Sequence, residues 1–413
     1  MARRSFEADS FPRFLSPRAL YIHVPVCASK CSYCDFHSLA VSAYSTESLS
    51  ALVDATLSRV DELALRFRAD DRNGYDTVYI GGGTPSALPR GLLARLVRGV
   101  AQRAGKPREW TVEANPESLD ESFLEIVAGA GCTRISVGIQ SFDDELLAIL
   151  GRPADSKTAR KALELVGRSG LAFSADLIAG LSRKGSLAEE ALAIVDSGAA
   201  HLSIYDLVLE DGTSLSARAA RGDVPLLDED QAFEERAACE AELAGRGYRR
   251  YEVSNYALPD SECRHNLAYW NMDSYLGAGP GAVSTLAGGG RAFRIAESRD
   301  HAAYLRGAAA AAAAEEAIPC EEAAFEVLLM SFRTIFGLDL DAFRERFGID
   351  AREVFPLTFE TWKARLAPRG ENRLALDGKG LDLLNRFLVE CLEELERRGD
   401  CFPHSVAVPS RRS

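Results

Sequence analysis

The sequence predicts an α/β chain: a partial (β/α)₆ barrel of the TIM type followed by a smaller, mainly helical C-terminal domain. Two observations carry this. Short apolar runs bounded by turn residues alternate six times with stretches of helical periodicity, the pattern of parallel strands joined by right-handed crossovers. Beyond a run of alanines, only helical periodicity remains. An open doubly wound sheet is the rival arrangement for the same alternation.

Residues 1–18 read as an N-terminal extension and residues 19–256 as the barrel. Its candidate strands are Ala19–Val24, Thr77–Ile80, Trp110–Glu113, Arg134–Ile139, Ala172–Ile178 and His201–Leu207. Helical periodicity occupies Ser48–Phe67, Gly91–Ala104 and Leu187–Val195, and a further helix over Asp228–Gly245 leads to an extended segment, Tyr248–Tyr256. Residues 257–314 read as a connecting segment holding the Gly-rich stretch Asn271–Ser284 and the alanines Ala308–Ala314. Residues 315–413 supply the helical domain through Glu321–Phe336, Leu340–Phe347 and Leu381–Arg398, with no chemical motif.

Composition narrows the function classes. The chain of 413 residues has 47% hydrophobic and 26% charged side chains, which fits a full core and excludes disordered and fibrous classes. Its 48 basic and 61 acidic side chains leave a net charge of -13, the wrong sign for a small nucleic-acid-binding module. No apolar run is long enough for a membrane span, although peripheral membrane contact stays open. Arg3, Arg4 and Arg13 precede strand one without an apolar stretch between them, so no secretory signal is expected and the expected compartment is the cytoplasm.

Nine cysteines spread over a long chain do not make a disulfide framework. Cys27, Cys31 and Cys34 instead crowd onto the loop after the first strand. Three thiolates can hold three irons of a [4Fe–4S] cluster and leave the fourth iron open. On these residues alone a Cys₃His zinc site, closed by His37 or His23, stays a live alternative. Gly81-Gly82-Gly83-Thr84-Pro85 follows the second strand; glycines there let backbone approach a ligand closely, or simply make a tight turn. The strand ends together offer the Cys loop, Gly81–Thr84, Glu113, Gln140, Asp176 and Tyr205-Asp206, on the rim where barrels carry their chemistry.

The Cys27–Cys34 loop, with Tyr33 as its aromatic, and the glycine motif resemble the radical S-adenosylmethionine superfamily. Within it the chain is similar to the subgroup of oxygen-independent coproporphyrinogen III oxidase and the heme chaperone HemW. The similar segments are Tyr21–Cys27, Ile80–Ala87, Val112–Pro116, Ile135–Phe142, Leu150–Arg152, Ala175–Ile178, Tyr251–Tyr256 and Cys263–Trp270. The resemblance implies Cys27, Cys31 and Cys34 as cluster ligands. It implies Tyr21, Tyr33, Gly82, Gly83, Thr84, Glu113, Gln140, Arg152 and Asp176 around S-adenosylmethionine. It also implies that one electron from the reduced cluster breaks the sulfur–carbon bond of that cofactor, giving methionine and a 5′-deoxyadenosyl radical.

Two features divide the subgroup. The oxidases carry a fourth cysteine where this chain has Phe36, and the chaperones carry H-N-x-x-Y-W, here His265 to Trp270. The resemblance therefore implies heme held by His265, Tyr269 and Trp270, an apo-hemoprotein acceptor and a one-electron reductant, with a homodimer left open. Coproporphyrinogen III dehydrogenase is the alternative. From the residues themselves, His265 reads as a structural histidine and Tyr269 and Trp270 as a packed pair. Three departures stand out: Pro153 replaces a histidine, Ser182-Arg183-Lys184 replaces a Pro-rich turn, and Val283 replaces the histidine of a G-P-G-A-H-S segment. Cys263, two residues before His265, is a second candidate heme ligand or a buried small side chain. Cys132, Cys239, Cys320, Cys391 and Cys401 fall at no ligand spacing.

Overall fold

Each of the six predicted strands forms, and the helices between them start where the sequence supplies a cap. Strands β1 (Ala19–Val24), β2 (Thr77–Gly82), β3 (Glu109–Ala114), β4 (Arg134–Gln140), β5 (Ala172–Ala179) and β6 (His201–Asp206) pair in parallel in that order. Their interiors are almost wholly buried, as strands covered on both faces must be. The structure is a computed structural model describing residues 16–67, 69, 74–305, 313–398 and 402. Most of the N-terminal extension, alanines 308–312 and Cys401 lie outside the described residues.

Helices α1 (Thr46–Arg66), α2 (Arg90–Ala104), α3 (Glu121–Ala130), α4 (Asp144–Ile149), α5 (Ser156–Arg168) and α6 (Leu187–Asp196) fill the crossovers. Ser45, Asp120, Asp143, Asp155 and Ser186 accept backbone N–H groups at five of their starts, and Ser186 with Glu189 makes a full capping box. The helix predicted over Asp228–Gly245 forms as α7 (Glu229–Gly245), capped by Asp228.

The segment expected to be a connector is built differently. After β7 (Arg249–Arg250) and β8 (Asn255–Ala257) comes a short helix, α8 (Arg264–Trp270), then β9 (Tyr275–Ala278), β10 (Val283–Gly288), β11 (Arg291–Ala296) and β12 (Ala314–Ile318). β9 joins β1 in parallel, with Ala19 opposite Tyr275, and the later strands add antiparallel beyond it. The result is one twelve-stranded mixed sheet, in the order β12-β11-β10-β9-β1-β2-β3-β4-β5-β6-β8-β7. The physical reason lies in the sequence: two alternating runs meet at Gly289-Gly290, both at positive φ (58° and 72°), which is a hairpin signal. The parallel arc does not close on itself, because β1 pairs with β9 and β6 pairs with β8.

A buried ion pair ties this extension to the barrel: Arg59 on α1 donates from Nε to Glu297, 2.8 Å away, with both side chains almost completely enclosed. The C-terminal part packs its own aromatic core, including Phe332, Phe343, Phe347, Phe355 and Phe387. Its helices include α9 (Cys320–Ser331), α10 (Leu340–Phe347) and α11 (Leu384–Arg398), and a small three-stranded sheet accompanies them. The predicted helix over Leu381–Arg398 is broken at Leu383, and the one over Glu321–Phe336 stops at Ser331.

Candidate functional site

Strand β1 delivers the chain into the cysteine loop, whose base is closed by a parallel pairing of Val26–Cys27 with Leu39–Ala40. Ser32 pins the loop to the end of α4: its N–H donates to Leu150 O at 2.9 Å and its hydroxyl to Ile149 O at 2.8 Å. Arg152, on the turn after α4, donates from Nη2 to Gly138 O at 2.8 Å and reaches Cys31 Sγ from Nη1 at 3.4 Å. Burial pushes the Cys34 thiol up to about 11, and the neighbouring Cys31 and Cys27 add to the rise.

The three thiols share a cavity of about 420 Å³ with Tyr33, the glycine motif and the carboxylates of the rim. Gly82 sits at φ +99°, and a Cβ there would stand 2.2 Å from His23 Nδ1; a Cβ on Gly83 would stand 2.5 Å from Val24 O. Glycine is therefore required at position 82 by both dihedral and space, and at position 83 by space. Glu113 accepts from the Tyr79 hydroxyl at 2.8 Å and from Gly82 N–H at 3.0 Å. Burial raises its carboxyl to about 7 against the pull of those two bonds, and burial likewise raises Asp176 to about 6. Gln140 closes the rim at φ +70°, where β4 slips register against β5. Such strain in a non-glycine residue concentrates at working sites.

Of the predicted residues, Cys27, Cys31, Cys34, Tyr33, Gly82, Gly83, Thr84, Glu113, Gln140, Arg152 and Asp176 all line this one cavity. Tyr21 does not. Its hydroxyl lies 2.9 Å from His23 Nδ1, behind Gly82, so it supports the glycine turn from beneath. Asn115 was missed although its segment, Val112–Pro116, was singled out; its amide donates to Thr84 Oγ1 at 3.0 Å. Phe36 stands on the rim, 62% exposed.

The donor set fits a [4Fe–4S] cluster with a zwitterionic nucleoside sulfonium beside it. Asp176 Oδ1 and Arg152 Nε are buried without hydrogen-bond partners among the described residues, a carboxyl acceptor and a cationic donor in one cavity. The histidines that would close a zinc site are engaged otherwise. His23 uses Nδ1 on Tyr21 and Nε2 on His37 O, and His37 Nε2 lies 2.6 Å from His301 Nε2.

The H-N-x-x-Y-W residues lie elsewhere, on α8. His265 is fully enclosed: Thr77 Oγ1 lies 2.9 Å from Nδ1, Tyr269 OH 2.8 Å from Nε2, and burial lowers the imidazole to about 3. Cys263 is also enclosed, 3.5 Å from both Arg134 and Glu109, and burial raises its thiol to about 12. Tyr269 and Trp270 border a second cavity of about 630 Å³, between the sheet and the C-terminal part. Tyr205 borders both cavities.

Comparison with known proteins gives the same grouping. Residues 21–184 match the Radical SAM superfamily and residues 318–383 the HemN C-terminal domain. The chain is 34% identical over 342 residues to the heme chaperone HemW of Mycobacterium tuberculosis, covering 82% of this chain and 86% of that one. It is 34% identical over 305 residues to the Escherichia coli heme chaperone HemW, covering 71% and 77%. It is 35% identical over 296 residues to the mitochondrial radical S-adenosyl methionine domain-containing protein 1 of Bos taurus, covering 68% and 65%. The fold is similar to that of coproporphyrinogen III oxidase (HemN) from Escherichia coli, with a TM-score of 0.74 and 18% identity over 93% of this chain and 91% of that one.

Proposed function

The chain belongs to the radical S-adenosylmethionine superfamily and, within it, to the family of the heme chaperone HemW, and from that membership we propose that it binds heme and delivers it to apo-hemoproteins. The observation that carries the cofactor part of this reading is the meeting of three thiols, the glycine turn and two elevated carboxyls in one cavity. Cys27, Cys31 and Cys34 would hold a [4Fe–4S] cluster. Arg152 and Asp176 would take the charged methionine end of S-adenosylmethionine, with Glu113 receiving a positive or hydroxyl group at the other wall. When bound, the pair supplies one-electron reductive cleavage of a sulfonium bond. A one-electron donor is then required, and the compartment we propose is the cytoplasm; no helix among the described residues is long and apolar enough to cross a membrane.

Coproporphyrinogen III dehydrogenation is the second reading, favoured by the similarity of fold to HemN. Phe36 argues against it, since the oxidases' fourth cysteine is an exposed phenylalanine here. Anaerobically purified chain is expected to contain iron and acid-labile sulfide, and the single variants Cys27→Ala, Cys31→Ala and Cys34→Ala to lose them. Hemin titration is expected to give a saturable Soret change. Conversion of coproporphyrinogen III to protoporphyrinogen by the loaded protein with a reductant would overturn the chaperone reading, as would the absence of any hemin spectrum.

A further inference from the structure

Strands β4 and β5 end side by side at the cavity that holds the three thiols, and the pairing between them is irregular there. Gln140 closes β4 at φ +70°, where its partner becomes Leu177 after a slip in register, and the chain then leaves the sheet through Ser141 and Phe142. On β5, Asp176 and Ile178 border the same cavity. Backbone that leaves its ladder gives up the bonds that fix it, so another group has to hold the two ends together.

That group comes from the turn between β5 and α6. The Arg183 side chain is 1% exposed and stands behind the cavity wall. Its Nη2 donates to Ile178 O at 2.7 Å and its Nη1 to the Glu190 carboxylate. Glu190, in the first turn of α6, accepts on its other oxygen from the Ser141 hydroxyl and the Phe142 N–H, both at 2.6 Å. Two side chains thus span from the end of β5 to the end of β4. Glu235 on α7 lies 3.2 Å from Arg183 Nε and steadies the guanidinium from its outer side.

The same network reaches the third wall. Ser141 Oγ accepts from the Asp143 N–H at 3.0 Å, and Asp143 caps α4 while its other oxygen takes the Lys184 N–H at 2.7 Å. α4 leads directly to Arg152. Gln140, Arg152 and Asp176 therefore stand on segments joined through one buried ion pair, although Arg183 touches none of the three. A buried ion pair is weak evidence for stability, because an apolar pair of the same volume often serves as well. An apolar pair cannot, however, hold Ile178 O and the Ser141–Phe142 backbone in one fixed register, and a guanidinium fork can.

We propose that Arg183 is a positioning residue, which with Glu190 clamps the ends of β4 and β5 at the separation that S-adenosylmethionine requires. The turn Ser182-Arg183-Lys184 has no proline to stiffen it, and the ion pair stiffens it instead. This rests on the S-adenosylmethionine reading above.

The test uses the full chain, anaerobic and cluster-loaded, in samples matched for iron and acid-labile sulfide. S-adenosylmethionine affinity is read by calorimetry, and the reduced-cluster EPR spectrum is followed as the cofactor is added. Arg183→Met and Glu190→Gln are each expected to weaken binding about tenfold and to shift the EPR titration to correspondingly higher concentration. Glu190→Gln keeps an acceptor for Ser141 and Phe142 but turns an N–H toward Arg183, so it breaks the clamp with little change of volume. The double variant is expected to lose no more than either single one, because both break the same link. Glu297→Ala, which removes a buried ion pair remote from this cavity, is expected to bind as wild type does and so separates lost stability from lost positioning. Unchanged affinity in both single variants would overturn the assignment, as would multiplicative losses in the double variant or an equal loss in Glu297→Ala. Absence of binding by wild type would instead overturn the S-adenosylmethionine reading itself, and the clamp with it.

Discussion

The hydroxyl of Tyr269 lies 2.8 Å from Nε2 of His265, one helical turn back along α8, while Thr77 fixes the other ring nitrogen. The histidine thereby fastens α8 to the start of β2. His265→Ala would leave a cavity and two buried hydroxyls without their partner, and is expected to lower stability by about 3–5 kcal/mol. A shift of the urea midpoint checks this. The imidazole falls from its usual 6.5 to about 3 on folding, so the unfolded chain binds the extra proton. Its contribution is whole above 6.5 and is lost as pH falls toward 3, at up to about 1.4 kcal/mol per pH unit. Unfolding midpoints of wild type and His265→Gln, followed from pH 7 to pH 4, are expected to converge.

Glu113, whose shift runs upward, predicts a pH dependence of ligand binding at the other cavity. Its carboxyl is raised from 4.5 to about 7 by burial, so below that value it is mostly neutral and a poor partner for a cation. Binding of S-adenosylmethionine to the cluster-loaded chain is expected to tighten as pH rises through 7, by about tenfold between pH 6 and pH 8. Calorimetric affinities at those two pH values test it, and in Glu113→Gln the dependence is expected to disappear.

Gly82→Ala places a methyl group 2.2 Å from the His23 ring at a φ of +99°. Strain and overpacking together are expected to cost about 2–5 kcal/mol. The more telling readout is ligand affinity. Iron content should persist, because the cysteine loop is a separate segment, while S-adenosylmethionine affinity falls as the turn is displaced.

Arg59 and Glu297 make the same kind of argument for the sheet extension. Removing Glu297 leaves the buried Arg59 guanidinium with only the half-exposed Glu62 as partner, so Glu297→Ala is expected to destabilise by about 2–4 kcal/mol, whereas the double change Arg59→Met, Glu297→Leu is expected to recover most of the loss. Thermal unfolding of wild type and the two variants decides it.

The barrel was legible because its strands are short apolar runs and its helices start at Ser and Asp caps, both local signals. The rim was legible for a similar reason: Cys27, Gly82, Glu113 and Gln140 each lie near a strand end. The sheet extension was not, because β9 pairs with β1 across more than two hundred and fifty positions of chain, and no local pattern reports a partner so distant. The Gly289-Gly290 hairpin was readable and was absorbed into a connector. Nor could spacing tell that the H-N-x-x-Y-W residues divide their work, with His265 locked under α8 while Trp270 borders the second cavity. That division follows from which helix face meets β2, a matter of tertiary packing.

The two margins of the long sheet carry opposite signs: Glu315 and Glu316 on β12 at one end, Arg249 and Arg250 on β7 at the other. A sister molecule adding itself strand to strand about a two-fold axis would have to set acid against acid or base against base. Repulsion thus disfavours a two-fold pairing at either border, and a symmetric pairing of copies is expected on the helical flanks instead.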